Sequence, residues 1–162
     1  MLSMFVGLVL AQDADWQQKE SQYLKNIRQV TSTYVRAGEG YFAPDGKTIL
    51  FQAEEKDTGN PFYQIFSMDL ATKSARRVSP GVGKTTCSYF HPSGKKIIFS
   101  SSHLDPEAKA KYAPEINQRE EDKKANRRRT YKWDFDSHMD IFEANPDGSG
   151  LKRLTDTPGY DA

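Results

Sequence analysis

Tyr41-Phe42-Ala43-Pro44-Asp45-Gly46-Lys47-Thr48-Ile49-Leu50-Phe51 returns 48 residues later as Tyr89-Phe90-His91-Pro92-Ser93-Gly94-Lys95-Lys96-Ile97-Ile98-Phe99. Pro44-Asp45-Gly46 and Pro92-Ser93-Gly94 read as tight turns, because proline presets φ and glycine accepts positive φ. The runs that follow, 47–52 and 96–101, are short and rich in β-branched and aromatic residues, as strands are. Upstream, Ile27-Arg28-Gln29-Val30-Thr31 returns as Ala75-Arg76-Arg77-Val78-Ser79 and again as Leu151-Lys152-Arg153-Leu154-Thr155. Gln64-Ile65-Phe66-Ser67-Met68-Asp69 returns as Asp140-Ile141-Phe142-Glu143-Ala144-Asn145, but at an offset of 76. The second unit therefore holds 28 residues more than the first.

A unit of four short antiparallel strands repeating at roughly 40–50 residues is the sequence signature of propeller blades. A β-sandwich also alternates strands and turns, but it does not repeat their residues in register. The expected fold is all-β: a partial β-propeller with a helical insert in its second blade. Residues 32–79 form blade 1 and residues 80–155 form blade 2, with third strands at 65–70 and 139–144. Residues 156–162 lead into a further blade. Residues 26–31 read as the outer strand of a closing blade, and residues 12–25 as a helical lead-in.

The motif Phe-x-Pro-x-Gly-Lys-x-Ile-x-Phe, with Ile-Phe and Lys152 to Asp161 after it, resembles the TolB-like family of WD40-like (PD40-type) propeller repeats. The resemblance runs over about residues 27–162. It implies a periplasmic or secreted propeller that binds other proteins of the cell envelope and performs no catalysis. The rival implication is the N-terminal, substrate-gating propeller of a secreted peptidase of prolyl-oligopeptidase or tricorn type, whose catalytic residues lie outside these 162. No set of partner-binding residues from the Tol–Pal system can be matched here.

Composition narrows the partners. Lys and Arg number 23 against 22 acids, so charge gives no reason to expect nucleic acid. The single cysteine, Cys87, excludes an internal disulfide. Residues 1–11 carry an apolar run of about ten residues, where a span needs roughly 20. With Val9-Leu10-Ala11 as a cleavage site they read as a signal peptide, although the basic region that normally precedes one is missing.

Four constellations invite chemistry. Pro80-Gly81-Val82-Gly83-Lys84-Thr85 resembles a phosphate loop, but Val78 stands where its first glycine belongs and a strand is expected to follow. Cys87 and His91 would lie about 13 Å apart on a strand, which leaves Cys87 as a small core residue. If extended, Asp134, Asp136, His138 and Asp140 share one face and form a weak candidate cation site; an amphipathic strand with a wet face is the plainer reading. The insert, about residues 103–137, begins at Asp105-Pro106-Glu107 as a helix start. Pro114 should interrupt that helix and allow it to resume over 114–126. Its basic cluster, Lys123, Lys124, Arg127, Arg128 and Arg129, follows Glu120-Glu121-Asp122, so a solvated helix laced with ion pairs is the plainer reading. Beside Tyr131 and Trp133, the arginines also make a candidate partner-binding rim. No cofactor and no catalytic residue is indicated.

If residues 1–11 are a leader, the mature chain begins at Gln12 or a near neighbour. N-terminal sequencing of exported protein checks this; an intact Met1 on cytoplasmic protein counts against it.

Overall fold

The computed structural model describes residues 11–130 and 135–162, with side chains described from Trp16. The expected leader therefore lies outside the described residues, apart from Ala11. Among the described residues no helix is long and apolar enough to cross a membrane.

The chain divides into two units. In the first, up to Ser32, α1 (Ala11–Glu20) ends in a turn closed by the Leu24 N–H on the Glu20 carbonyl at 2.9 Å. The helix thus starts and stops earlier than the lead-in expected over 12–25. Residues 26–31 form no strand. A strand exists only by pairing, and no described strand pairs with this segment.

The second unit, Thr33–Ala162, holds two four-stranded antiparallel sheets. Blade 1 comprises β1 (Arg36–Phe42), β2 (Thr48–Glu54), β3 (Gln64–Asp69) and β4 (Ala75–Arg77). Blade 2 comprises β5 (Thr85–Phe90), β6 (Ile97–Ser101), β7 (Asp140–Ala144) and β8 (Lys152–Arg153). In each blade the strand order follows the chain.

The register repeats residue for residue. Phe51 pairs with Phe66 and Ile49 with Met68; 48 and 76 residues on, Phe99 pairs with Phe142 and Ile97 with Ala144. Phe66 opposite Arg77 becomes Phe142 opposite Arg153. The turns repeat as well. Gly46, at φ 67°, donates to the Ala43 carbonyl at 2.9 Å, and Gly94, at φ 70°, donates to His91 at 2.8 Å. Positive φ is what glycine adopts at little cost.

One irregularity repeats that the residues do not advertise. β1 and β5 both bulge, and the bulged residues Glu39 and Cys87 take φ of 41° and 53°. The bulge turns the Cys87 side chain into solvent. Cys87 is therefore not the core residue its size suggested.

The core is the seam between the blades. Ala43, Leu50, Ile65 and Val78 of blade 1 meet Phe90, Ile97, Phe99, Phe142 and Ala144 of blade 2 in one buried cluster. Equivalent positions expose the logic of the repeat. Leu50 is 0% exposed beneath blade 2, but Ile98, its counterpart in blade 2, is 40% exposed. Val78 is 4% exposed and its counterpart Leu154 is 48%. The same residue type is buried where a neighbouring blade covers it and open where none does. The chain leaves blade 2 in the same way as it leaves blade 1: Asp161 donates to the Met139 carbonyl at 2.9 Å, as Thr85 does to Tyr63 at 3.1 Å.

This difference predicts unequal costs at matched positions. Leu50→Ala should destabilise the chain by about 2–4 kcal/mol, a buried cavity, and Ile98→Ala by less than about 1 kcal/mol. Urea unfolding of both variants measures the contrast; equal costs would contradict the seam described here.

Candidate functional site

The insert between β6 and β7 is where the two blades differ, and its geometry begins at Asp105. The Asp105 carboxylate accepts the Glu107 N–H at 2.8 Å and closes a turn rather than a helix. A 3₁₀ turn, Lys109–Lys111, then runs directly into α2 (Tyr112–Lys124). Pro114 falls in the first turn of α2, where a missing N–H costs nothing, so it does not interrupt the helix as expected.

α2 lies against the blade 1 connector that follows β2. Arg119 donates through Nη1 to both Glu54 oxygens, at 3.0 and 2.8 Å, and through Nη2 to the Pro61 carbonyl at 2.7 Å. Arg36 at the start of β1 reaches the same two groups, with Nε 2.7 Å from Glu54 and Nη2 3.2 Å from the Pro61 carbonyl. The Tyr112 hydroxyl accepts the Gly83 N–H at 2.9 Å, and the Tyr112 ring packs edge-on to Phe62. The Gly-Lys-Thr stretch is thus a structural joint. Gly83 sits at φ 68°, and a Cβ there would come within 2.8 Å of the Ser102 carbonyl oxygen. β5 follows it, not a helix, and its carbonyl accepts from Asn60 and Gln64 at 3.1 and 2.9 Å.

A buried charge cluster joins the two ends of the insert. Lys111 Nζ lies 2.6 Å from Asp105 Oδ2 and 3.0 Å from Asp136 Oδ2, and both carboxylates are almost fully buried. Lys84 Nζ lies 3.6 Å from Asp136 and sits over the Phe62 ring. His138 Nδ1 stands 3.8 Å from each acid. Burial alone would raise the pKa values of both acids. The Lys111 hydrogen bond, backbone N–H groups and nearby cations outweigh it and hold both below the usual carboxylate range. Burial likewise opposes the charge of Lys111, and the two aspartates override it and raise its pKa.

Of the three aspartates and one histidine grouped at 134–140, the described ones do not lie on one extended strand. Asp134 lies outside the described residues. Asp136 to Met139 is a turn, closed by the Met139 N–H on the Asp136 carbonyl at 3.0 Å, and the strand starts only at Asp140. Asp140 is taken by Arg153 at 2.7 Å. Asp136 and His138 instead converge with Asp105, which sequence spacing did not suggest, and their donor atoms lie within 4.8 Å of one another. Between the two carboxylates the Lys111 ammonium already supplies positive charge.

At the far end of α2 two residues of the basic cluster, Arg127 and Arg129, are paired. Arg129 donates to Asp122 at 2.6 Å and to Glu115 at 3.0 and 3.1 Å, and Arg127 donates to Asp122 at 2.8 Å. The Arg129 bond, followed by those from Arg127 and Gln118, lowers the Asp122 pKa. Arg128 is exposed; Tyr131 and Trp133 lie outside the described residues. Away from the insert, a cleft of about 560 Å³ opens among turn and strand-end residues including Pro44, Asp45, Arg76, Phe90, Ser93 and Pro146. It presents no buried titratable group.

No family description matches the sequence, and no curated protein matches it. Solved structures do. A putative TolB from Agrobacterium tumefaciens aligns with a TM-score of 0.51 at 18% identity, over 76% of this chain and 35% of that one. TolB from Acinetobacter baumannii aligns with a TM-score of 0.51 at 21% identity, over 82% of this chain and 24% of that one. The fold is part of a TolB-like β-propeller. The chain spans about a third and a quarter of the lengths of these two neighbours, and at such identity the likeness is one of fold.

The buried cluster predicts an acid-sensitive joint. Carboxylates whose pKa is held down in the folded state contribute stability above the usual range, near pH 4, which is lost as pH falls through the folded-state values. Asp136→Asn should cost on the order of 2 kcal/mol at pH 7, because it leaves Lys111 and Lys84 undercompensated. The variant should also lose less stability than the parent between pH 5 and about pH 3. Denaturation across that range checks both; parallel pH profiles would contradict the assignment.

Proposed function

We propose that this chain is part of a periplasmic or secreted TolB-like propeller that acts by binding another protein of the cell envelope, without catalysis. The observation that carries the reading is the anchored insert. Residues that repeat between the blades serve the seam, whereas α2 is built outside the repeat, tied to blade 1 through Arg119, and carries its basic cluster to the surface. Long insertions from a rigid scaffold are where binding residues concentrate.

In this reading the partner meets the segment from Arg127 to Trp133. Arg127 and Arg129 are held in place by Asp122 and Glu115, so less side-chain freedom is lost on contact. Arg128 is exposed and would face an acidic partner directly. Tyr131 and Trp133 add the rigid aromatic surface that interfaces favour.

The test is capture from an envelope extract by immobilised protein, with Arg128→Glu and a second variant in which residues 127–133 are replaced by Gly and Ser. Arg128→Glu touches no ion pair of the fold, so its circular dichroism should match the parent. Capture should fall by about tenfold for Arg128→Glu and disappear for the replacement. Unchanged capture by both folded variants would move the binding site elsewhere on the propeller.

A further inference from the structure

We propose that α2 is a latched arm, held on blade 1 by paired charge instead of an apolar seam, and released when that charge is screened or competed for. Along Tyr112–Lys124 the one buried residue is Asp122, which is covered by arginines of the insert itself. Ile116, the aliphatic residue of the helix with most surface to bury, is exposed. An ordinary docked helix buries an apolar stripe; this one has none to bury.

What holds it is specific and local. The guanidinium of Arg119 grips Glu54 through two contacts and Pro61 through a third. Tyr112 adds one hydrogen bond to Gly83 and one ring contact to Phe62. Beyond Arg119 the side-chain bonds of the helix stay within the insert, from Gln118, Arg127 and Arg129 to Asp122 and from Arg129 to Glu115. A helix of 13 residues is at the lower limit for standing alone in water, so its order depends on this docking.

The two ends of the arm are not equally secured. The base, from Asp105 to Lys111, is pinned by the buried carboxylates, and Ala108 is buried beside them. The tip hangs on Glu54. Opening therefore pivots the helix about its base without disturbing the blade seam, which is the kind of sub-global motion that low-stability elements undergo. It bares a carboxylate, Glu54, that stays paired to Arg36 at 2.7 Å, and it frees the Nη groups of Arg119 to meet an incoming anion while its Nε stays on Glu115 at 2.6 Å. The inference stands whether or not the basic tip contacts a partner, because it concerns how the arm is held.

Hydrogen exchange by mass spectrometry on the 162-residue chain tests it, at 0.05 M and 1 M NaCl. Screening lengths shrink from roughly 14 Å to about 3 Å over this range, so amides of residues 115–124 should exchange about tenfold faster at high salt. Those of β2 and β3 should change by less than about twofold. Salt also weakens pairs inside the helix, so Glu54→Gln isolates the latch: it keeps the shape and removes the charge that Arg119 grips. At low salt this variant should show the fast exchange of α2 and little further response to salt. If β2 and β3 also lose protection in Glu54→Gln, Arg119→Gln replaces it with the same expectation. The proposal fails if α2 is as protected as β2 in both salts, if salt accelerates all segments alike, or if neither variant changes α2.

Discussion

The seam between the blades is the constraint on which the rest depends. Neither sheet can bury both of its faces by itself, and a twisted four-stranded sheet is stable only when its apolar face is covered. Leu50, Ile65 and Val78 meet that need by packing on Phe90, Phe99 and Phe142. Each such side chain contributes about 1.5–3 kcal/mol by leaving water. The Phe99 and Phe142 rings stack at 6.3 Å, in the register that places Phe51 over Phe66 in blade 1, where Tyr34 packs edge-on to both.

The chain must still cross from one blade to the next at the edge of that dry seam, and there its backbone groups need partners. Alongside Asn60, Tyr112 and Ser102, Gln64 supplies several of them. Its amide nitrogen donates to the Tyr63 and Gly83 carbonyls, and its oxygen accepts from the Ser79 hydroxyl and the Gly81 N–H. The Ser79 hydroxyl in turn accepts the Ile65 N–H at 3.0 Å. Blade 2 solves the same problem with different chemistry. Thr155 takes the role of Ser79 and accepts the Ile141 N–H at 2.9 Å, but Asp140 replaces Gln64 and is neutralised by Arg153. The hydroxyl two residues past the fourth strand is thus a repeated joint, which accounts for Ser79 and Thr155 standing at equivalent positions.

Much of this was legible in the residues because propeller blades obey local rules that recur. Turn chemistry at Pro44-Asp45-Gly46, strand composition at Ile49 to Phe51 and offsets of 48 and 76 residues were enough to place the second, third and fourth strands of each blade, though not the bulged first strands. The misreadings share another cause: each depended on contacts distant in sequence. Cys87 has the size and polarity of a core residue, and only the bulge in β5 turns it outward. Pro114 looks like a helix breaker until the start of α2 is known to lie two residues before it. Asp136 was grouped with its strand neighbours, yet its real partners, Lys111 and Asp105, lie 25 and 31 positions away and belong to the other end of the insert. Side-chain periodicity carries no information about a pairing of that kind.

The same distinction bears on where the molecule is free to specialise. Lengthening the second β2–β3-type connection by 28 residues costs little, since about two doublings of loop length amount to on the order of 1 kcal/mol. The cost falls further once the loop is pinned, and Lys111 with Asp105 and Asp136 pins it near its base. Asp136 matches Asn60 at the offset of 76, and the His138 N–H bonds to Asp136 as the Phe62 N–H bonds to Asn60. Lys111 falls among the extra residues and has no counterpart in blade 1, where the connector is a short turn closed by Thr58 and Asn60. Glu54 shows the converse. Its place in blade 1 corresponds to Ser102 in blade 2, so the carboxylate that Arg119 grips is itself a departure from the repeat. Two departures that meet in space, one on each blade, are harder to attribute to packing than either alone. The insert and the connector beneath it are where both blades leave the repeat at the same place in space.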